Sequence, residues 1–107
     1  VAKALQEHDI FVLPSYAEGF SASIMEALAT GLYVITSNAP GCRQSIKEEF
    51  EGELVEVGDV RSLVKSMINC CEKIDNIKRN STKIRNKALH RFDSKINQKL
   101  IKEFIFL

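Results

Sequence analysis

Residues 10–31 read Ile10-Phe11-Val12-Leu13-Pro14-Ser15-Tyr16-Ala17-Glu18-Gly19-Phe20-Ser21-Ala22-Ser23-Ile24-Met25-Glu26-Ala27-Leu28-Ala29-Thr30-Gly31, and this stretch decides the fold. The first four residues are a short apolar, β-rich run, which Pro14-Ser15-Tyr16 ends. Over residues 22–29, Ile24, Met25, Leu28 and Ala29 recur at helical spacing. One carboxylate, Glu18, therefore falls in the loop leaving a strand. A second, Glu26, falls in the first turn of the next helix. Free N–H groups and the positive end of the helix dipole lie between them and favour an anion. A ligand with phosphates in its middle and hydroxyls at both ends suits that layout, as in a nucleotide sugar.

Working outward, Gly31 closes the helix in a left-handed conformation, and residues 33–36 form the next strand. A helix between two strands is what parallel pairing requires. Asn38-Ala39-Pro40-Gly41 is a loop at the end of that strand. The spacing predicts a short helix over residues 45–50, a break at Gly52 and a third strand over 54–57. Asp59 is a good N-cap for a strong helix. Val60, Leu63, Val64, Met67, Ile68 and Cys71 fall on one face of that helix and are expected in the core. A polar helix over residues 75–90, with Ile77, Ile84 and Ala88 as its apolar seam, comes next. A last helix starts at Asp93 or Ser94 and carries Ile96, Leu100 and Phe104. This order predicts an α/β fold, a partial doubly wound, Rossmann-like parallel sheet with carboxy-terminal helices. Residues 1–92 form the domain and 93–107 the terminal helix. Ligands of such sheets bind beyond the carboxyl ends of the strands. Glu18 and the Pro40-Gly41 loop both fall there.

With 107 residues, 45% of them hydrophobic, the chain holds one small domain. It opens at Val1 inside an apparent helix over residues 1–7 and reads as a piece of a longer protein. No secretory signal and no apolar run long enough to cross a bilayer is present. Cys42, Cys70 and Cys71 are odd in number and lack metal-ligand spacing. They read as small buried or half-buried residues in a reducing compartment. The formal net charge is only +1, but residues 1–72 hold 5 basic and 11 acidic side chains against 10 and 3 in residues 73–107. The basic part reads as solvated helices or as a face toward an anionic membrane or lipid-linked acceptor. Its basic residues are not interleaved with aromatics, which argues against nucleic acid.

Residues 14–31 resemble the E-x7-E signature of family-4 retaining glycosyltransferases of the GT-B architecture. The resemblance continues through Tyr33-Val34-Ile35-Thr36-Ser37-Asn38, Pro40-Gly41-Cys42-Arg43 and Gly52-Glu53-Leu54-Val55-Glu56-Val57-Gly58-Asp59, with a weaker Arg91-Phe92-Asp93. It implies the carboxy-terminal, donor-binding half of such an enzyme. The enzyme would transfer a hexose or amino sugar from a nucleotide sugar to a glycan or lipid-linked acceptor, with retention. It also implies a role in polysaccharide biosynthesis, a cytoplasmic location at the inner face of a membrane, and no cofactor or metal, the nucleotide sugar being substrate. The acceptor-binding domain and the basic pair that grips the diphosphate would lie upstream. The alternatives are a non-catalytic nucleotide-sugar-binding or scaffold module and, more remotely, a nucleotide-sugar epimerase.

Carried over residue by residue, the resemblance makes Glu18 the catalytic glutamate, hydrogen-bonded to the donor sugar beside the reacting carbon. Gly19 lets the backbone approach the ligand. Phe20 packs beneath the loop while its amide faces the donor, and Ser21 and Ala22 offer amides to the diphosphate. Ser21, Ala22 and Ser23 depart from the glycine, larger aliphatic and proline usual at these places. Those changes leave the amides in place and bear on the choice of sugar. Glu26 has two readings. It accepts the ribose hydroxyls, or it completes a capping box with Ser23. Arg43 either neutralises phosphate or makes a surface ion pair. His8 and His90 read as surface residues.

Overall fold

The computed structural model describes residues 5–14 and 22–91. Three strands, β1 (Ile10–Leu13), β2 (Tyr33–Ser37) and β3 (Gly52–Val55), make a parallel sheet in the order β1-β2-β3. Tyr-Val-Ile-Thr-Ser suits the middle place, because a parallel strand covered on both faces must be apolar or satisfied throughout. All five residues of β2 are buried, whereas all four of β1 are half-buried. The Thr36 hydroxyl, buried in β2, donates to the Leu13 carbonyl at 2.8 Å and stitches the two strands together.

Helix α1 (Ala22–Thr30) connects β1 to β2 and buries Ile24, Met25, Ala27, Leu28 and Ala29. It ends as its glycine dictates. Gly31 sits at φ +95°, its N–H donates to Leu28 at 3.0 Å, and the Leu32 N–H donates to Ala27 at 2.9 Å. The same glycine seats the start of α4 (Ser81–Arg91), whose Ser81 hydroxyl donates to the Gly31 carbonyl at 2.9 Å. From there α4 packs along α1. Helix α2 (Val60–Glu72) starts at Asp59, which accepts the Ser62 N–H at 3.0 Å as an N-cap should. It packs on β3, and α3 (Ile74–Arg79) follows.

Four expectations need correction. Residues 45–50 are not helical: a 3₁₀ turn covers Arg43–Ser45, and turns follow. The third strand starts two residues earlier than the hydrophobic run suggests. It begins at Gly52 because that residue lies opposite Val34, and a Cβ there would fall on the Val34 carbonyl. The polar helix is two helices broken at Asn80, although its seam is right, with Ile77, Ile84 and Ala88 all buried.

The fourth concerns α2. Its broad apolar stripe is not in the core of the described residues: Val60 is 70% and Ile68 54% exposed, and Val64, Met67 and Cys71 are exposed as well. A three-stranded sheet offers α2 only the narrow surface of β3. The helix lays its slimmer line of half-buried Leu63 and buried Ser66 and Cys70 there. Cys42 and Cys70 are buried as expected, Cys71 is exposed against that expectation because it lies on the outer face of α2, and His8 and His90 are exposed. The terminal helix expected over 93–107 lies outside the described residues.

Candidate functional site

The three strands point their carboxyl ends the same way, so the segments leaving them share one rim. Pro14 follows β1, Ser37 ends β2, and Val55 ends β3. With Val57, Val60 and Leu63 they line a cavity of about 210 Å³. Glu18, Gly19, Phe20 and Ser21 fall between β1 and α1 in the sequence and lie outside the described residues. Ala22, the first residue of α1, is exposed.

Glu26 is half-buried, and burial raises its carboxyl above the ordinary carboxylate range. The helix bounds revise two statements about it. With α1 starting at Ala22, Glu26 stands in the second turn and no acidic residue is in the first. Ser23 is then inside the helix and cannot be the N-cap of a box closed by Glu26. The capping reading of this pair is lost. A carboxylate held partly out of water without a capping duty is left.

The turn after β2 is closed on itself. N–H groups of Asn38, Ala39, Cys42 and Arg43 donate to carbonyls of Val55, Ser37, Ala39 and Ala39 at 2.8–3.1 Å. Gly41, at φ +85°, donates its N–H to the Gln44 side chain at 2.8 Å. Arg43 is exposed and, among the described residues, makes no ion pair. The surface ion pair weighed for it is not among those described.

A larger cavity, about 590 Å³, opens at the opposite end of the sheet, beside Tyr33 at the start of β2, Phe50, Lys47, Lys73 and Asn76. Side chains along it are bonded to one another. Tyr33 donates to Glu53 at 3.4 Å and accepts from Lys73 at 3.3 Å, and the Cys70 thiol donates to the same Glu53 oxygen at 3.2 Å. Burial, then the bond to Glu53, pushes the Cys70 thiol up to about 12. Burial, then the Glu53 charge, also raises the Tyr33 phenol. Size alone would choose this end, but its polar groups hold the amino ends of β2 and β3 to α2.

Sequence reasoning missed the clamp behind the β2 turn. Glu51, 0% exposed, accepts the Lys47 and Glu48 N–H groups at 3.1 and 2.8 Å and the Arg91 guanidinium at 3.1 Å, while Arg91 also donates to the Ser45 carbonyl at 2.7 Å. A carboxylate just ahead of a buried glycine strand start was the one available signal.

Fold and rim together define a Rossmann-like α/β domain with a cavity at the carboxyl ends of its parallel strands, the end at which sheets of this class bind ligands. The profile of the family "Glycosyl transferases group 1" matches residues 1–89, and the chain belongs to that family. Over 94 residues it is 37% identical to the UDP-Gal:alpha-D-GlcNAc-diphosphoundecaprenol alpha-1,3-galactosyltransferase of Escherichia coli, covering 87% of this chain and 24% of that protein. Over 63 residues it is 38% identical to the N,N'-diacetylbacillosaminyl-diphospho-undecaprenol alpha-1,3-N-acetylgalactosaminyltransferase of Campylobacter jejuni, covering 59% and 17%. The chain thus spans a quarter or less of these relatives. Among solved structures, Anabaena HepE in complex with UDP superposes with a TM-score of 0.79 at 23% identity, over 98% of this chain and 29% of that one. The GtfA/B complex superposes with 0.68 at 19%, over 96% and 22%. Both likenesses concern the fold, which is that of a glycosyltransferase domain of GT-B type.

Proposed function

We propose that this chain is the donor-binding half of a retaining GT-B glycosyltransferase that moves a hexose or amino sugar from a nucleotide sugar to a lipid-diphosphate-linked acceptor. The observation that carries this reading is a cavity at the carboxyl ends of three parallel strands, with a half-buried Glu26 carboxylate in the helix that follows β1, in a chain of this family. The names of the two relatives support the acceptor class, since each is named for a diphosphoundecaprenol-linked sugar. Galactose and N-acetylgalactosamine in those names support a hexose or amino sugar.

In this reading Glu18 holds the donor sugar beside its reacting carbon. Gly19, Phe20, Ser21 and Ala22 present backbone to the diphosphate, and Glu26 accepts the ribose hydroxyls. A partly desolvated carboxylate binds hydroxyl donors more strongly than a solvated one, which is what the burial of Glu26 supplies. Catalysis is positioning and charge stabilisation, with no cofactor and no metal in the residues' roles. An acceptor carried by a lipid places the enzyme at the inner face of a membrane. Residues 73–91, with seven Lys and Arg against Asp75 alone, supply a surface of suitable sign.

The test is a donor screen of the full-length protein that carries this chain, with lipid-diphosphate acceptors and product mass as the readout. A product heavier than the acceptor by one hexose or N-acetylhexosamine is expected. Nucleotide-sugar binding without transfer to any acceptor would instead support a non-catalytic module.

A further inference from the structure

The turn after β2 offers an anion no backbone. Pro40 has no N–H, and the N–H groups of Asn38, Ala39, Gly41, Cys42 and Arg43 are all committed within the chain. What it does offer is a guanidinium. Arg43 is exposed and, among the described residues, unpaired. The backbone that carries it is fixed from behind. The Ser45 hydroxyl donates to the Gly41 carbonyl at 3.3 Å and Gln44 holds the Gly41 N–H, so both backbone polar groups of Gly41 are tied to the next turn. That turn is in its place because Arg91, from the last turn of α4, donates one arm of its fork to the Ser45 carbonyl and the other to buried Glu51. A chain of bonds thus runs from α4 to Gly41 across 50 residues of sequence.

We propose that Arg43 binds a diphosphate at the carboxyl-end crevice, and that Arg91 is a positioning residue which, through Ser45 and Gly41, holds the turn that presents it. The inference rests on the nucleotide-sugar reading of this crevice. The diphosphate belongs either to the donor or to the lipid-linked acceptor; both present the same oxygens to a guanidinium.

The experiment uses the full-length protein and three variants, Arg43→Gln, Ser45→Ala and Arg91→Lys. Calorimetry measures binding of UDP, GDP and dTDP, kinetics give KM for donor and for acceptor separately, and thermal unfolding gives Tm. Arg43→Gln is expected to weaken diphosphate binding about tenfold at unchanged Tm, the scale of a lost charge-assisted hydrogen bond. Ser45→Ala keeps the carbonyl that Arg91 uses and loses only the bond to Gly41. Arg91→Lys keeps the charge beside Glu51 and loses the planar fork. Each is expected to raise the same KM about threefold, with kcat nearly unchanged. A shift in donor KM assigns the contact to the nucleotide, and a shift in acceptor KM alone assigns it to the lipid diphosphate. Equal affinities and KM values for wild type and Arg43→Gln would overturn the site. A lowered Tm with unchanged KM in Ser45→Ala and Arg91→Lys would reduce Arg91 to a structural clamp and overturn its positioning role. If the wild type binds no nucleoside diphosphate, the donor reading itself falls, and this inference with it.

Discussion

At the carboxyl ends of β1, β2 and β3 the chain sets Pro14, Ser37, Val55 and the turn into α2 around a cavity of about 210 Å³. At the amino ends it leaves a larger cavity, about 590 Å³, along which Tyr33, Glu53, Cys70 and Lys73 bond one another. The contrast teaches that volume is a poor guide here. Polar groups already satisfied by neighbours hold elements together, while those left without an internal duty are available to a ligand. Substitutions at the two ends should therefore fail in different ways, in catalysis and binding at one and in stability at the other.

The largest effect is expected at Glu18. In the full-length enzyme, Glu18→Ala should lower kcat on the order of 10²-fold or more, with much less change in nucleotide affinity, because its contact is made mainly in the transition state. Near-normal turnover would remove the asymmetry between the two ends. Next comes Glu51→Ala, which strands the Arg91 guanidinium and two N–H groups. Its cost should be about 3 kcal/mol in denaturant unfolding, the low end for a broken buried pair because Arg91 is 20% exposed. A loss under about 1 kcal/mol would mean that the clamp is not what holds the turn.

Glu26→Gln should act on binding alone. Burial raises the Glu26 carboxyl, so the folded protein holds that proton more tightly than the unfolded chain does. The associated stability is present at acid pH and is lost as pH rises from the ordinary carboxylate range through the folded value. Gln removes that cost, so Tm without ligand at neutral pH should hold or rise slightly. Nucleoside diphosphate affinity should fall by about 1 kcal/mol or more as a charged acceptor becomes neutral. A lower Tm with unchanged affinity would assign Glu26 a structural duty. The smallest effect belongs to the amino end. Tyr33→Phe should cost about 1 kcal/mol of stability or less and leave both KM values unchanged. The raised Cys70 thiol also predicts a stability loss as pH climbs from 9.0 toward about 12, absent in Cys70→Ala.

Much of this contrast was legible in the residues. β1, α1 and β2 follow from a four-residue apolar run, a helical repeat and a glycine needing positive φ, all local signals. Asp59 announced α2 in the same way. What escaped was set by distant partners. β3 starts at Gly52 because of the Val34 carbonyl, and among the described residues the stripe on α2 is exposed because the sheet they form is narrow. The Arg91–Glu51 clamp joins residues 40 apart. Glu26 loses its capping partner because the helix begins at Ala22. Glu18 and its three successors are legible only through the resemblance, since they lie outside the described residues.

The central claim is that the ligand sits at the carboxyl ends of the strands and the larger cavity is structural. Amide hydrogen exchange of the full-length protein, with and without saturating UDP, tests it most directly. Added protection is expected over residues 14–26 and 37–43, with residues 47–50 and 73–80 unchanged. Protection confined to 47–50 and 73–80 would place the ligand at the amino ends and contradict the account.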